Sequence, residues 1–169
     1  DRLVEKTAKV IKGCEGEHMD EIDIQLLKIL QEDGRITLSD LSKKLSLSRP
    51  SVAERFTRLM EKGIIDKISA RVSPNAVGRN ILLFIQVSEI SVHYDEFEDM
   101  TCKHPDIIEC HRLTGTVNYL LKAAVNDMEH LNKLIDYLIQ FGIIHTSIVL
   151  KSPVPEKIIL PSNEEQEWP

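Results

Sequence analysis

A set of side chains able to meet the edges of base pairs lies within residues 48–62. Ser51, Arg55, Arg58 and Lys62 recur at i, i+4, i+7 and i+11, the spacing that lines side chains along one side of an α-helix. Val52, Phe56 and Leu59 fall together elsewhere on the same helical repeat. One helix would therefore turn an apolar stripe to a core and carry a cationic stripe away from it. Arg49 adds charge at the N-terminal end, and Glu54 adds an acceptor. The chemistry that suits this set is hydrogen bonding in the major groove of duplex DNA. A groove about 12 Å wide admits one helix, whose N-terminal side chains reach the bases. A guanidinium can pair bidentately with guanine, while Ser51 or Glu54 can meet other edges, the cytosine amine included. Lys43, Lys44, Lys67 and Arg71 are better placed for phosphates, which add affinity without sequence information. A merely solvated helix face would show the same arginines, and Glu54 and Arg58 also have the spacing of a favourable i, i+4 pair.

The elements that must position this helix weigh against the merely solvated face. Ile24, Leu26, Leu27 and Leu30 mark a first helix over about residues 20–31, and Asp33-Gly34 stops it. Thr37 reads as an N-cap with Asp40 three residues on, a variant of the capping box. Leu38, Leu41 and Leu45 give the second, short helix its buried face. Residues 46–48 make a brief turn, and Ser48 can cap the third helix. Pro50 sits in that helix's first turn, where no helical N–H is lost, and Gly63 ends it. Two helices and a tight turn, with the second helix polar on its outer side, form a helix-turn-helix. Residues 64–72 are β-prone and are expected to form a strand, followed by a Ser73-Pro74-Asn75 hinge that closes near Gly78.

Charge sharpens this reading. The chain of 169 residues carries a formal net charge of −6, which taken alone disfavours a polyanionic partner. Residues 34–72, however, hold 9 Lys/Arg against 4 Asp/Glu, while the segments on either side are net acidic. A basic island between acidic flanks suits local phosphate contact and limits indiscriminate binding. Apolar residues make up 42% of the chain, enough for packed cores. No apolar run approaches the roughly 20 residues of a membrane span, and residues 1–12 lack an apolar signal core, so a cytoplasmic protein is expected. Residues 1–18 read as a leader or extension before a compact body that starts near Met19. Cys14, Cys102 and Cys110 show no C-x-x-C spacing, so neither a zinc site nor a disulfide framework is expected, and no cofactor is implied.

The second half alternates between the two periodicities. Residues 81–87 read as a strand, 94–102 as a helix with Phe97 and Met100 inward, and 107–113 and 117–125 as strands around Thr114-Gly115-Thr116. Asp127 caps a helix bearing Leu131, Leu134, Ile135 and Leu138 on one face, and residues 143–150 complete the set. The order β-α-β-β-α-β is the ferredoxin-like arrangement. Ile81, Leu83, Ile85 and Val87 alternate with Leu82 and Phe84, so the first strand is apolar on both faces. A central strand covered by helices on one face and by a second subunit on the other has this pattern. A monomer burying that face with its own tail is the alternative. The tail from residue 153 carries Pro153, Pro155 and Pro161 before Pro169 and ends acidic. An enzyme on this domain would have to use His93, His104, His111, His145 or Glu109, and none falls in a nucleophile or metal motif.

The sequence resembles the Lrp/AsnC family, the leucine-responsive and asparagine-synthesis regulators. The resemblance is carried by Met19-Asp20-Glu21-Ile22-Asp23, Leu30-Gln31-Glu32-Asp33-Gly34-Arg35 and Leu41-Ser42-Lys43-Lys44-Leu45-Ser46-Leu47-Ser48. Val52-Ala53-Glu54-Arg55-Phe56-Thr57-Arg58-Leu59 and Lys62-Gly63-Ile64-Ile65 extend it. It spans residues 19–152 and implies an α+β chain: a winged helix-turn-helix over 19–65, a linking strand and hinge over 66–78, and a ferredoxin-like sensing and dimerisation domain over 79–152. It also implies a transcription regulator on double-stranded DNA, homodimers that assemble into larger even-numbered oligomers, and an amino-acid effector. A low-specificity architectural DNA-binding protein would share every one of these motifs. The family's effector loop reads Gly-x-x-Asp-Tyr; here it is Gly115-Thr116-Val117-Asn118-Tyr119, preceded by Thr114. Gly115 can turn tightly, and backbone N–H groups there could hold a carboxylate. An aspartate would pair with an ammonium group, whereas Asn118 offers a neutral acceptor and a donor.

Overall fold

The computed structural model describes residues 19–161, so the expected leader over 1–18 and the end of the tail lie outside the described residues. The chain divides into two compact units, one running to Ala70 and including the segment from Glu156, the other spanning Arg71–Pro155.

The first unit holds α1 (Glu21–Glu32), α2 (Leu38–Leu45) and α3 (Arg49–Glu61). Each begins where a short polar side chain satisfies an orphan backbone donor. Asp20 accepts from the N–H of Asp23, Thr37 from that of Asp40 and Ser48 from that of Ser51. Thr37 also donates to the Asp40 carboxylate at 2.7 Å, so the box closes through the side chains. That bond, and then Lys43, hold the Asp40 carboxyl below its ordinary value. The turn between α2 and α3 is tight because Ser46 takes a left-handed conformation at φ 52° and Ser42 donates to the Leu47 carbonyl. Leu26, Leu27, Leu41, Leu45, Val52 and Leu59 form the buried core. The tail joins this unit through Gln31, whose amide donates to the Ile159 carbonyl and accepts from the Ile159 N–H, both at 2.9 Å.

The strand expected over residues 64–72 does not form: beyond the turn at Ile65 the backbone enters no ladder among the described residues, and residues 66–72 are exposed. A β-prone stretch becomes a strand only when a neighbouring edge takes up its N–H and C=O groups. The hinge is a 3-10 turn, Asn75–Val77, ended by Gly78 at φ 81°.

The second unit is β1 (Ile81–Ser88), α4 (Tyr94–Lys103), β2 (Ile107–Arg112), β3 (Val117–Val125), α5 (Met128–Leu138) and β4 (Ile143–Ile148). The antiparallel sheet runs β2-β3-β1-β4, the ferredoxin-like order. Leu83, Ile85 and Val87 of β1 pair with Ala123, Leu121 and Tyr119 of β3. This face packs on Phe97 of α4 and on Leu131, Leu134 and Leu138 of α5. Gly142 must be glycine, because a Cβ there would stand 2.5 Å from the Ser88 carbonyl oxygen. Just past the hinge, Arg79 donates to the buried Asp106 carboxylate at 2.9 Å and to the Ala124 carbonyl at 2.6 Å. His130 of α5 meets the other Asp106 oxygen at 2.9 Å, so one carboxylate ties β1, β2 and α5 together.

Candidate nucleic-acid interface and sensing hairpin

On α3 the apolar stripe is as expected: Val52 and Leu59 are buried and Phe56 is partly so. The cationic stripe has a different setting. Arg55 donates through one Nη to both Asp20 oxygens, at 2.8 and 2.7 Å, and to Asp23 at 2.8 Å. Arg58 donates to both Asp23 oxygens at 2.9 and 2.8 Å. The Asp23 side chain is only 5% exposed, and those of Arg55 and Arg58 are 21% and 43% exposed. These are contacts between α3 and the start of α1, not guanidiniums reaching into solvent. The Asp20 carboxyl is held below its ordinary value, first by the Asp23 N–H and then by Arg55. Asp20 and then Asp23 in turn raise the Arg55 guanidinium, so the Asp20–Arg55 pair is charged at neutral pH.

The remaining candidates are distributed as follows. Arg49 is exposed on the first turn, with one Nη on the Ser39 hydroxyl at 2.9 Å. Ser51 is half-buried and its hydroxyl shares a hydrogen bond with Ser48 at 2.8 Å, so it completes the helix cap. Glu54 is exposed and has no hydrogen bond or ion pair among the described residues; the i, i+4 bridge to Arg58 does not form, because Arg58 turns to Asp23. Lys43 and Lys44 are exposed at the end of α2, Lys43 with its ammonium 3.3 Å from Asp40. Lys62 is exposed at the end of α3, and Lys67 and Arg71 are exposed on the extended stretch beyond it, Arg71 within the second unit. Asp20 and Asp23 were missed as partners of the stripe. One signal was available: Asp23 stands three and four residues before Leu26 and Leu27, on the apolar side of α1, and a carboxylate there demands a cation.

The hairpin between β2 and β3 projects Thr114, Gly115 and Thr116 into solvent, with Gly115 at φ 103°. It is closed by the Leu113 N–H on the Asn118 carbonyl at 2.9 Å. Val87 pairs with Tyr119 and Ser88 with Val117, so Asn118 is the extra residue of a β-bulge. Its side-chain oxygen accepts from the Ile90 N–H at 3.4 Å. Tyr119 lies in the core, 1% exposed, and its hydroxyl donates to Glu98 of α4 at 2.5 Å. Burial first, and the Glu98 carboxylate second, push the phenol pKa far up. The Tyr119 phenol is thus engaged inside the fold. Arg112 lies beside it, 3.8 Å from Glu98 and with its guanidinium 3.9 Å over the Tyr94 ring. Among the described residues no three His, Cys, Asp or Glu side chains cluster as a metal site.

A three-helix unit with a tightly turned helix pair, joined to a ferredoxin-like unit with an open sheet face, defines a helix-turn-helix transcription regulator with a separate ligand-binding domain. The winged helix-turn-helix DNA-binding model matches residues 19–66, and the Lrp/AsnC ligand binding domain model matches residues 82–159. The chain is 36% identical over 136 residues to the HTH-type transcriptional regulator FL11 of Pyrococcus furiosus, covering 79% of this chain and 90% of that protein. It is also 36% identical over 123 residues to the leucine-responsive regulatory protein of Escherichia coli, covering 71% and 75%. The transcriptional regulator NMB0573 of Neisseria meningitidis, solved in complex with L-Met, matches with a TM-score of 0.76 and 32% identity over 84% of this chain and 96% of that one. The chain belongs to the Lrp/AsnC family of transcription regulators, which are not enzymes.

Proposed function

We propose that this regulator binds a specific duplex operator as a homodimer, joined through the open face of its sheet, and that an amino acid bound at the Thr114-Gly115-Thr116 hairpin changes its occupancy of DNA. The observation that carries the assembly is the composition of that face. Phe84 is 37% exposed there, beside half-buried Leu82 and Leu120. On the same face the ladder sets Lys122 beside Phe84 and Glu109 beside Lys122 and, in the next row, His111, Leu120, Gln86 and His145 across all four strands. Exposed apolar side chains interleaved with polar ones that can pair across a contact suit a subunit interface. Dimers of this kind can join into larger even-numbered assemblies.

Two subunits present two α3 helices, and the operator then repeats its half-site after about one helical turn or a multiple of it. Arg49 and Glu54 face that groove, while Lys43, Lys44, Lys62, Lys67 and Arg71 meet phosphates, in the cytoplasm where the DNA lies. The amino-acid class of effector is supported by the L-Met complex of the Neisseria relative. Control is by linkage: a ligand that favours one assembly shifts DNA affinity by its differential affinity for the two.

The test is sedimentation of the chain together with fluorescence anisotropy on a duplex from upstream of its own gene, with each of the common amino acids added in turn. Dimers or larger even assemblies are expected, with at least one amino acid shifting both assembly and DNA affinity. A monomer at micromolar concentration, or assembly and affinity indifferent to every amino acid, would contradict the reading.

A further inference from the structure

We infer that the base-reading edge of α3 is formed by Glu54 and Thr57, led by Arg49, and that Arg55 and Arg58 are positioning residues that fix the rotation of this helix. The inference rests on the reading of the first unit as a specific duplex binder. At about 100° per residue, the direction opposite Val52 and Leu59 falls on Pro50, Glu54 and Thr57, whereas Arg55 and Arg58 stand on a flank. The burial agrees: Pro50, Glu54 and Thr57 are exposed, while Arg55 and Arg58 are half-buried against α1. Among the described residues neither Glu54 nor Thr57 makes a side-chain hydrogen bond or ion pair.

The arginines are committed elsewhere. For Arg58 to reach a guanine it would leave two charge-assisted bonds to Asp23, whose residue surface is 3% exposed. Asp23 would then keep only its single bond to Arg55, and halving the cationic pairing of a buried carboxylate is costly. Arg55 adds the Asp20 carboxylate, itself the N-cap of α1, so one ion cluster fixes both where α1 starts and how α3 is turned. The outward edge carries the opposite chemistry. The Glu54 carboxylate can accept from the amine of cytosine or adenine and is repelled by guanine's O6 and N7 acceptors. Thr57, one turn on, offers a hydroxyl and a methyl that suits thymine.

The test measures the affinity of the full chain for its operator duplex with each half-site position changed in turn. Glu54→Ala and Thr57→Ala are expected to alter preference at one or two positions each, with Glu54→Ala losing roughly tenfold discrimination against the wrong base. Arg58→Gln is expected to weaken binding by a similar factor on every duplex, leaving the preferences in place. Asp23→Asn combined with Arg58→Gln removes the carboxylate left with Arg55 alone and is expected to recover affinity over Arg58→Gln alone, which a direct base contact would not do. The inference is overturned if Arg55→Gln or Arg58→Gln flattens preference at one position in a folded protein, or if Glu54→Ala leaves every preference unchanged. Wild-type protein that holds all duplexes equally would overturn it together with the reading beneath it.

Discussion

Among the described residues the hydrophobic core of the helical unit is a small aliphatic cluster, while that of the sheet unit is larger and includes Phe97, Tyr119 and Phe141. In the sheet unit the core side chains of the strands are placed twice, once by ladder register and once by packing. Val87, for example, is set opposite both Tyr119 and Ile144. The helical unit has no ladder among the described residues, and three short helices on a small aliphatic core can roll on one another. Its orientation is fixed instead at the edge of the core, by two carboxylates of α1 and two guanidiniums of α3. Charge that reads as a ligand surface along one helix is thus engaged in holding that helix against its neighbour.

The largest effect should come from the aromatic core. Phe97 is 0% exposed and its ring centroid lies 4.8 Å from that of Tyr119 and 5.8 Å from that of Phe141. Phe97→Ala should cost about 3–5 kcal/mol. In amide hydrogen exchange, β1 and β3 should lose their slow protons while α1 to α3 keep theirs; parallel loss in both units would show that they do not unfold separately. Two glycines sharpen the contrast. Gly142→Ala forces a Cβ onto the Ser88 carbonyl and should cost about 1–3 kcal/mol by overpacking. A Cβ on Gly34 would meet the Ile68 Cγ2 atom at 3.1 Å, a side chain that can turn aside, and the Leu30 carbonyl oxygen at an ordinary 3.7 Å. Denaturant unfolding should therefore show a clear loss for Gly142→Ala and a much smaller one for Gly34→Ala.

The smallest effects are in pH, and they run in opposite directions. The Asp20 carboxyl lies below its ordinary 3.8 in the folded chain, so its contribution is complete above that value and is lost as pH falls through the lower folded value. Asp20→Asn should reduce the melting temperature near neutrality and lose that difference in acid. The Tyr119 phenol lies above its ordinary 10.0, so its contribution is complete below pH 10.0 and is lost as pH rises toward the folded value. In ultraviolet titration, wild type should ionise as many tyrosines as Tyr119→Phe until the fold melts and one more thereafter; an extra tyrosine ionising in folded wild type would contradict the bond of Tyr119 to Glu98.

Much of the fold was legible because its signals are local. Thr37, Ser48 and Asp127 cap the helices they were expected to cap, and the order of strands and helices follows from periodicity alone. The segments expected to carry the sites form as a helix and a hairpin, but the settings of their side chains were less legible. The Arg58–Asp23 contact joins residues 35 apart, and no window on α3 contains its partner. Residues 64–72 have strand propensity but no strand partner among the described residues. Tyr119 sits in the expected sensing loop, yet it continues the unbroken β1–β3 register opposite Val87 in the core, and the bulge at Asn118 comes only beyond it.

The most direct test of the account is the salt-titrated affinity of the wild-type chain for duplex DNA from upstream of its own gene, against a scrambled duplex of equal length. The account predicts a preference of roughly a thousandfold or more near physiological salt, with the affinity for both duplexes falling as salt rises. Equal affinity for the two at every salt concentration would contradict specific reading and leave a protein that holds DNA by its backbone alone.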